Sequence, residues 1–223
     1  MRKEKGIFLD FSNTITTVES ENLAIEKWLS FIREKYGLDQ GIYEKFINMR
    51  LKKLVERESN FRTFMQINKE VLKEIYGIDE IYEEEYYSFH ERFLRLRDDF
   101  KEFLEKVREQ FIVVVVTDAD NTYTERTLSS LGIYGSFDLI VTAEDVRAPK
   151  PDRRIFEEAL RRSGYPKKVV FIGDSERRDI QGAKKMNFLV IKMEDHSGET
   201  GADFVVKNFS QVIDILKSSG LLQ

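Results

Sequence analysis

One short segment constrains the fold of this chain more than any other. Residues 111–116 read Phe-Ile-Val-Val-Val-Val, and the polar pair Thr117-Asp118 follows directly. β-branched residues favour strands, and a run without polar alternation is typical of a strand that is buried on both faces. A second apolar run, residues 6–9, leads into Asp10. We therefore predict two buried strands that each end in polar residues.

Shorter apolar runs later in the chain predict four further strands, and segments with helical periodicity separate them. These strands are Leu139–Val141, Val169–Ile172, Leu189–Ile191 and Phe204–Val206. The predicted helices are Thr122–Leu131, Arg153–Arg162, Asp179–Met186 and Ser210–Lys217. Strands that alternate with helices imply right-handed crossovers, so we predict an α/β fold with a doubly wound parallel sheet. In such sheets the functional site lies beyond the carboxyl ends of the strands.

Residues 16–97 interrupt this alternation with helical patterns alone. The predicted helices are Ser20–Tyr36, Tyr43–Leu54, Phe61–Ile75 and about Ile81–Phe93. The aromatic residues Trp28, Phe46 and Phe64 recur at helical spacing, which predicts core positions. We predict a core domain of residues 1–15 and 98–223, and an inserted helical cap domain of residues 16–97 that closes over the sheet.

The composition excludes several classes of function. The 223 residues carry a formal net charge of -4, so no nucleic-acid partner is predicted. The absence of cysteine excludes disulfides, thiolate zinc sites and a cysteine nucleophile. The two imidazoles, His90 and His196, have no partner at metal-ligand spacing, and we interpret them as surface or packing residues. Any metal would therefore be held by oxygen ligands.

No segment approaches the ~20 apolar residues of a membrane span, so we expect a cytoplasmic protein without a membrane partner. Abundant Lys and Glu, no cysteine and only three prolines are compatible with a heat-adapted source, a thermophile.

Four short polar segments each follow a predicted strand or lie in the loop after it. They are Asp10-Phe11-Ser12-Asn13-Thr14, Thr117-Asp118-Ala119-Asp120, Ala148-Pro149-Lys150-Pro151-Asp152, and Gly173-Asp174-Ser175 with Asp179 one helical turn on. If the strands are parallel neighbours, the four segments converge on one edge of the sheet. Each segment alone would mean little, and the order of all four carries the interpretation.

This set of residues suits phosphoryl transfer. Asp10 and Asp174 offer carboxylates to a hard cation such as Mg²⁺, and Asp10 could also attack a phosphate ester as the nucleophile. Thr117 could donate a hydrogen bond to a phosphoryl oxygen, and Lys150 could supply a fixed positive charge. We predict Asp10, Thr117 and Lys150 as catalytic residues.

We further expect Thr117, Asp118 and Lys150 to contact a small phosphorylated substrate. Asp179 falls near the start of a predicted helix, where it could orient Lys150 or a metal-bound water.

The four segments resemble the motifs of the haloacid-dehalogenase-like hydrolase superfamily, and the helical insert resembles its cap between the first and second motifs. The match covers about residues 6–188. The resemblance implies that Mg²⁺ is held by Asp10, by the backbone carbonyl of Ser12 and by Asp174. It also implies supporting roles for Ser175 and Asp179, which belong to the Gly-Asp-Ser-x-x-x-Asp pattern of the fourth motif.

The chain departs from the family pattern at Ser12, where related phosphatases have a second aspartate. That aspartate protonates the leaving group and then activates water, and a serine hydroxyl has no suitable pKa for either task. We therefore expect an intact metal site with a weakened proton-transfer step. Another carboxylate, Asp118 or Asp120, could substitute, although both could simply cap the following helix.

Three interpretations remain open at this point. The first is a Mg²⁺-dependent phosphatase that works through an aspartyl phosphate on Asp10. The second is a metal-independent 2-haloacid dehalogenase, because those relatives also lack the second aspartate. The third is a metabolite-binding protein that has kept the scaffold and lost turnover.

Overall fold

The computed structural model describes residues 3–194 and 198–223, and these contain a six-stranded sheet. The strands are β1 (Lys5–Leu9), β2 (Phe111–Thr117), β3 (Leu139–Thr142), β4 (Lys168–Gly173), β5 (Leu189–Met193) and β6 (Phe204–Val206). Their order in the sheet is β3-β2-β1-β4-β5-β6, and every neighbouring pair is parallel. The predicted strands are confirmed, and β1 lies at the centre between β2 and β4.

Helices connect the strands and form the long insert after β1. They are α1 (Val18–Tyr36), α2 (Ile42–Glu56), α3 (Phe64–Tyr76), α4 (Glu83–Phe93), α5 (Phe100–Val107), α6 (Asn121–Ser130), α7 (Ala143–Val146), α8 (Arg153–Arg162), α9 (Gln181–Lys184) and α10 (Phe209–Ser218). The sequence did not predict α5 or the single turn α7. The predicted helix Asp179–Met186 is instead a π-helical turn, Glu176–Ile180, followed by the short α9. Within the described residues, no helix combines the length and apolarity that crossing a membrane demands.

Both faces of the sheet are buried, because successive residues of a strand point to opposite sides. On one face Ile7 and Leu9 of β1 belong to a core that includes residues of α5, α10 and the inserted helices. On the other face Phe8 packs in a separate core with residues of α8 and α9. The sheet is therefore doubly wound, as predicted.

Helices α1–α4 of the insert pack through aromatic residues. Trp28 of α1 is fully buried, and its ring centroid lies 5.5 Å from that of Phe46 and 5.1 Å from that of Tyr86. Trp28 and Phe46 are core residues, as predicted, whereas Phe64 is only half-buried and lines a cavity. Among these helices, α1 packs mainly on α4, and α2 packs mainly on α3.

The insert joins the core through two chain segments that run side by side. Thr16 and Leu96 form an antiparallel bridge between them. The Arg97 guanidinium donates hydrogen bonds to the carbonyls of Asn13 (3.0 Å) and Thr14 (3.1 Å). The domain boundaries predicted at residues 15 and 98 lie close to this junction and stay a prediction.

Gly182 of α9 lets this helix approach α8 closely. A Cβ atom at Gly182 would lie 2.6 Å from Cζ of Phe156 and 3.3 Å from the Cα of Pro151. The Phe156 ring is fully buried between α9 and the sheet, where it contacts Phe171. The loop that carries Lys150 and the helix that follows Asp179 therefore pack together around a residue without a side chain.

We predict that Gly182→Ala destabilises the protein by about 1–3 kcal/mol, because the added methyl group overpacks the site against a ring and a backbone atom. Urea denaturation measures the change. Gly135→Ala is the matched control, since a Cβ there meets no atom within 4 Å. Equal stability of the two variants would contradict the close packing described.

Candidate active site

The carboxyl ends of β1, β2 and β4 bring the polar segments together. Leu9, the last residue of β1, pairs with Val115 of β2 and with Ile172 of β4. The Asp10 amide continues this pairing by donating to the carbonyl of Ile172 at 2.9 Å. Asp10 therefore leaves β1 at the middle of the sheet edge, between the segments that follow β2 and β4. The four polar segments of the sequence meet at this edge, as expected.

The Lys150 amine lies at the centre of the site and is fully enclosed by protein. Its Nζ atom is 2.5 Å from Oδ1 of Asp10 and 2.7 Å from Oδ1 of Asp179. It also donates a hydrogen bond to the carbonyl of Val116 at 3.0 Å. Only 2% of Lys150 is exposed, so its partners within the protein replace the water that a lysine normally binds.

Two carboxylates contact this buried amine, and that of Asp174 lies close to both. Burial raises the pKa of Asp10 to about 8, and although Lys150 lowers that pKa, Asp179 and Asp174 raise it. Burial, and next the charge of Asp179, raises the pKa of Asp174 to about 6. Burial also opposes the charge on Lys150, but the carboxylates of Asp10 and Asp179 outweigh it and raise the pKa of the amine. The cluster thus has more negative charge than its lysine can neutralise.

This donor set fits a hard divalent cation. Carboxylate oxygens of Asp10, Asp174 and Asp179 lie within 4.8 Å of one another. Oxygen ligands suit Mg²⁺, and a divalent charge would offset the mutual repulsion of these carboxylates. The predicted ligands Asp10 and Asp174 are thus close together, whereas the contribution of the Ser12 carbonyl stays a prediction.

Asp179 was predicted to support the site, and its contacts hold the fourth motif in shape. Its Oδ2 atom accepts hydrogen bonds from the amides of Asp174 (3.2 Å) and Ser175 (2.9 Å), while Oδ1 faces Lys150. A Cβ atom on Gly173 would lie 2.6 Å from this carboxylate. Ser175 accepts a hydrogen bond from the amide of Arg178 at 3.3 Å and so begins the π-helical turn.

The hydroxyl and carboxylate groups after β1 and β2 have separate partners. The Thr14 hydroxyl donates to Oδ2 of Asp10 at 3.2 Å. Thr117 is buried, and its Oγ1 accepts from the Ala119 amide at 3.1 Å, which leaves its own proton for another acceptor. The Asp118 carboxylate accepts from the Lys150 amide at 2.7 Å. It holds the Lys150 loop, and its predicted contact with substrate stays a prediction.

Asp120 does not cap the following helix with its side chain. It occupies the N-cap position of α6, but its carboxylate makes no capping hydrogen bond there. Instead it accepts from the amides of Phe64 (2.7 Å) and Met65 (3.0 Å) at the start of α3. The sequence interpretation of Asp120 as a cap of α6 is therefore wrong, because tertiary contact offered it the free amides of a helix from the insert. Neither Asp118 nor Asp120 is a free carboxylate beside Ser12.

A cavity of about 470 Å³ lies between the sheet edge and the inserted helices, and Asp10, Ser12 and Thr117 line its floor. The insert contributes Glu21 from α1 and Arg50 from α2, which the sequence analysis did not single out. Each belongs to an amphipathic helix rich in charged residues. Nothing in the local pattern separates these two from the charged residues that face solvent, so only the packing of the helices reveals them.

Glu21 is surrounded by hydroxyl groups. The Thr16 hydroxyl donates to its Oε1 atom at 2.5 Å, and the Tyr123 hydroxyl donates to Oε2 at 3.4 Å. The Ser12 side chain lies next to this carboxyl group. Burial raises the pKa of Glu21, and the neighbouring Thr16, Ser12 and Tyr123 hydroxyls lower it in part. In the part of the chain that the structure describes, Glu21 forms no ion pair. A carboxyl group with raised pKa therefore lies next to the position where the second aspartate is missing.

Comparison with known proteins assigns the family. Residues 4–187 match the haloacid dehalogenase-like hydrolase family, which is most of the chain. The chain belongs to this family. The order of its strands, the helical insert after β1 and the polar segments at the sheet edge agree with the resemblance seen in the sequence.

Three similar proteins illustrate the range of the family. Glyceraldehyde 3-phosphate phosphatase of Methanothermobacter thermautotrophicus is 39% identical over 99 residues, which are 40% of this chain and 44% of the relative. The hydrolase YfnB of Bacillus subtilis, solved with magnesium, is 20% identical with a TM-score of 0.79 over 97% of this chain and 100% of its own. L-2-haloacid dehalogenase of Xanthobacter autotrophicus is 16% identical with a TM-score of 0.75 over 96% and 98%.

The curated relatives and the solved structures support different conclusions. The chain spans less than half the length of the first curated relatives it matches. The two solved structures share the fold with this hydrolase, and at their low identity they show no more than that.

His90 of this hydrolase is a packing residue of the cavity wall. Its Nδ1 atom is 2.7 Å from the carbonyl of Tyr86. Its ring centroid lies 4.1 Å from that of Tyr86, with the rings tilted, and 5.2 Å from that of Tyr123, edge to face. Burial, opposed by the Tyr86 carbonyl and aided by the charge of Arg50, lowers the pKa of His90 to about 4. The other imidazole, His196, lies outside the described residues.

We predict that His90 makes the stability depend on pH between about 6.5 and 4. The unfolded chain protonates this imidazole near pH 6.5, whereas the folded protein keeps it neutral until about pH 4, so acid favours unfolding. Between pH 7 and pH 5 this contribution falls by about 2 kcal/mol. Urea denaturation at the two pH values should show a smaller loss for His90→Phe than for the unaltered protein. Equal losses would contradict a neutral buried imidazole.

Proposed function

We propose that this hydrolase is a magnesium-dependent phosphatase that acts on a small phosphorylated metabolite through an aspartyl phosphate on Asp10. The observation that carries the proposal is the fully buried Lys150 amine, 2.5 Å from Asp10 and 2.7 Å from Asp179, beside a third carboxylate. A metabolic phosphatase needs a nucleophile that approaches an anionic ester, and a fixed positive charge together with a metal makes that approach possible.

Similarity to characterised enzymes supports a phosphate ester as the substrate. The glyceraldehyde 3-phosphate phosphatase of Methanothermobacter thermautotrophicus is 39% identical over the matched segment, and the YfnB structure was solved with magnesium. The segment that matches the curated phosphatase covers only part of both chains, so the substrate itself is a proposal. The cavity of about 470 Å³ is the size of a small-molecule site.

The first chemical step uses residues of β1, β2 and the Lys150 loop. An oxygen of Asp10 attacks phosphorus, the bond to the ester oxygen breaks, and the leaving oxygen takes a proton. Lys150 holds the attacking carboxylate by its other oxygen and neutralises charge that develops on the phosphoryl group. Thr117, whose hydroxyl proton has no acceptor among residues 3–194 and 198–223, donates to a phosphoryl oxygen.

Asp10 and Asp174 would hold the magnesium ion, with the carbonyl of Ser12 as a third ligand. When bound, Mg²⁺ supplies Lewis-acid neutralisation of the phosphoryl oxygens. Asp179 has both oxygens engaged, one with Lys150 and the other with the amides of Asp174 and Ser175. Its role is therefore to keep Lys150 and the fourth motif in place.

The leaving group and the attacking water still need a partner for proton transfer. Ser12 cannot serve alone, and Asp118 and Asp120 are engaged elsewhere. We infer that Glu21 fills this role, because it lines the same cavity as Ser12 and its carboxyl group lies next to the Ser12 side chain. Glu21 passes a proton through the Ser12 hydroxyl to the leaving oxygen and regains one from the water that hydrolyses the aspartyl phosphate. Asp10 and Glu21 thus return to their starting states.

A metal-independent dehalogenase is the alternative function. Ser12 favours it, because dehalogenases of the family also lack the second aspartate, and the fold of the Xanthobacter autotrophicus dehalogenase is similar. The grouping of Asp10, Asp174 and Asp179 supports the phosphatase, since carboxylate oxygens this close together can bind a divalent cation.

We predict Mg²⁺-dependent hydrolysis of p-nitrophenyl phosphate, measured by release of p-nitrophenolate. This leaving group needs no protonation, so a weak proton-transfer step does not hide the activity. Asp10→Asn should abolish turnover, because the amide is not a nucleophile, and EDTA should reduce it to background. The exposed Asp214→Asn is the matched control and should retain activity.

Two outcomes would contradict the phosphatase. One is turnover in Asp10→Asn equal to that of the Asp214→Asn control. The other is release of chloride from 2-chloropropionate in the presence of EDTA, which would favour the dehalogenase.

For the role of Glu21, we predict that Glu21→Gln lowers kcat on alkyl phosphates by about 10²-fold or more and on p-nitrophenyl phosphate by much less. Poor leaving groups need a proton and good ones do not. Adding Ser12→Asp to the Glu21→Gln variant should restore turnover of alkyl phosphates, because the carboxyl group returns to the family position.

An equal loss on both ester types, with no restoration by Ser12→Asp, would mean that Glu21 only supports the structure. Glu26→Gln, on the exposed side of α1, controls for the loss of one negative charge from this helix.

A further inference from the structure

Three arginines line the cavity above Asp10, and their partners differ. Arg177 is paired with Glu58 at 2.7 Å, and Arg178 lies 3.6 Å from Asp118. Arg50 of α2 has no carboxylate within ion-pair distance among residues 3–194 and 198–223. It is therefore the arginine of this cavity whose charge the described protein leaves uncompensated.

The Arg50 side chain is nevertheless held in place. Its Nε atom donates to Oδ1 of Asn68 at 2.9 Å, and Asn68 is completely buried. The guanidinium carbon lies 5.0 Å from the ring centroid of Phe64, in cation–π contact. These contacts use one edge and one face of the group, and they leave the two terminal nitrogens without a carboxylate partner. A fixed guanidinium with this edge free is suited to bidentate binding of an anion.

Several residues that line the cavity with Arg50 are aromatic or apolar. Among them are Ile47 and Leu54 of α2 and Tyr86 of α4. Placing a cation in such surroundings without a counter-charge costs free energy, which a bound anion would offset. Glu21 lowers that cost only at a distance, since it forms no ion pair with Arg50.

We propose that Arg50 recognises a second anionic group of the substrate, so that the preferred substrates are phosphate esters that also carry a carboxylate or a second phosphate. The phosphate to be transferred lies at Asp10, and the second anion reaches up to α2. This inference rests on the proposed phosphatase function and adds the substrate class. Carboxylate and phosphate offer the same paired oxygens to a guanidinium, and the experiment separates them.

The test measures binding by calorimetry in the presence of Mg²⁺, using Asp10→Asn protein so that no ester is consumed. The probes are phosphooxy-carboxylates with one to three methylene groups, α,ω-diol bisphosphates of the same lengths, and alkyl phosphates as neutral-tailed partners. Within each matched set, the ratio of the Kd of the alkyl phosphate to the Kd of the anionic probe measures the contribution of the second anion to binding. Both probes are titrated into the same protein preparation, so this ratio does not depend on the fraction of the protein that is folded.

We expect at least one anionic series to bind about tenfold or more tightly than its alkyl partner. Arg50→Met should remove most of this preference, and Arg50→Lys should retain part of it, because lysine keeps the charge without the paired donors. Lys52→Met, on the exposed side of α2, controls for the loss of one positive charge and should keep the full preference. The series that shows the preference identifies carboxylate or phosphate as the second group.

The inference is overturned if neither anionic series is preferred, if no probe binds, or if the preference survives Arg50→Met. A different result would show that the proposed phosphatase function is wrong. In that case the protein with Asp10 intact hydrolyses none of the esters, including p-nitrophenyl phosphate, whatever their order of binding.

Discussion

The site depends on one buried amine. Lys150 is shared between Asp10 and Asp179, and without its charge three carboxylates would face one another in a space shielded from water. The lysine loop, the end of β1 and the turn after β4 are all positioned by this contact. The two carboxylates also stabilise the charged form of the buried amine, so the interaction is mutual. Even so, the negative charge exceeds the positive charge, which gives the site its capacity for a divalent cation.

Contacts between the insert and the core form a cavity at this sheet edge. Asp120 of the core accepts hydrogen bonds from two amides at the start of α3. Arg57 of α2 is 1% exposed and donates to the Asp118 carbonyl at 2.8 Å. Two residues of the segment after β2 therefore hold the insert: Asp120 through its carboxylate and Asp118 through its carbonyl. The Asp120 carboxylate is therefore engaged by the insert, whereas the Asp118 carboxylate is engaged by the Lys150 amide.

The charged residues around the cavity come from both the core and the insert. The core contributes Asp10, Lys150 and Asp174, the proposed nucleophile, fixed cation and metal ligand, whereas the insert contributes Glu21 and Arg50. Under the proposed function the core would carry out the reaction and the insert would select the ester. Replacement of the second aspartate by Ser12 would then be compatible with activity, because a carboxyl group from α1 lies next to the serine.

The sequence by itself determined the strands, the insert and the polar segments around Asp10 and Asp174, because apolar runs and the residues that end them are local features. The alternation of strands and helices predicted a parallel sheet, and the segments were expected to converge if their strands are neighbours. The order of the strands came from the structure. Only the tertiary structure decided that Asp120 binds α3 rather than capping α6, and that Glu21 and Arg50 face the cavity. Such assignments depend on which faces of distant helices meet, and a charged residue on an amphipathic helix has the same local pattern whether it faces solvent or a site.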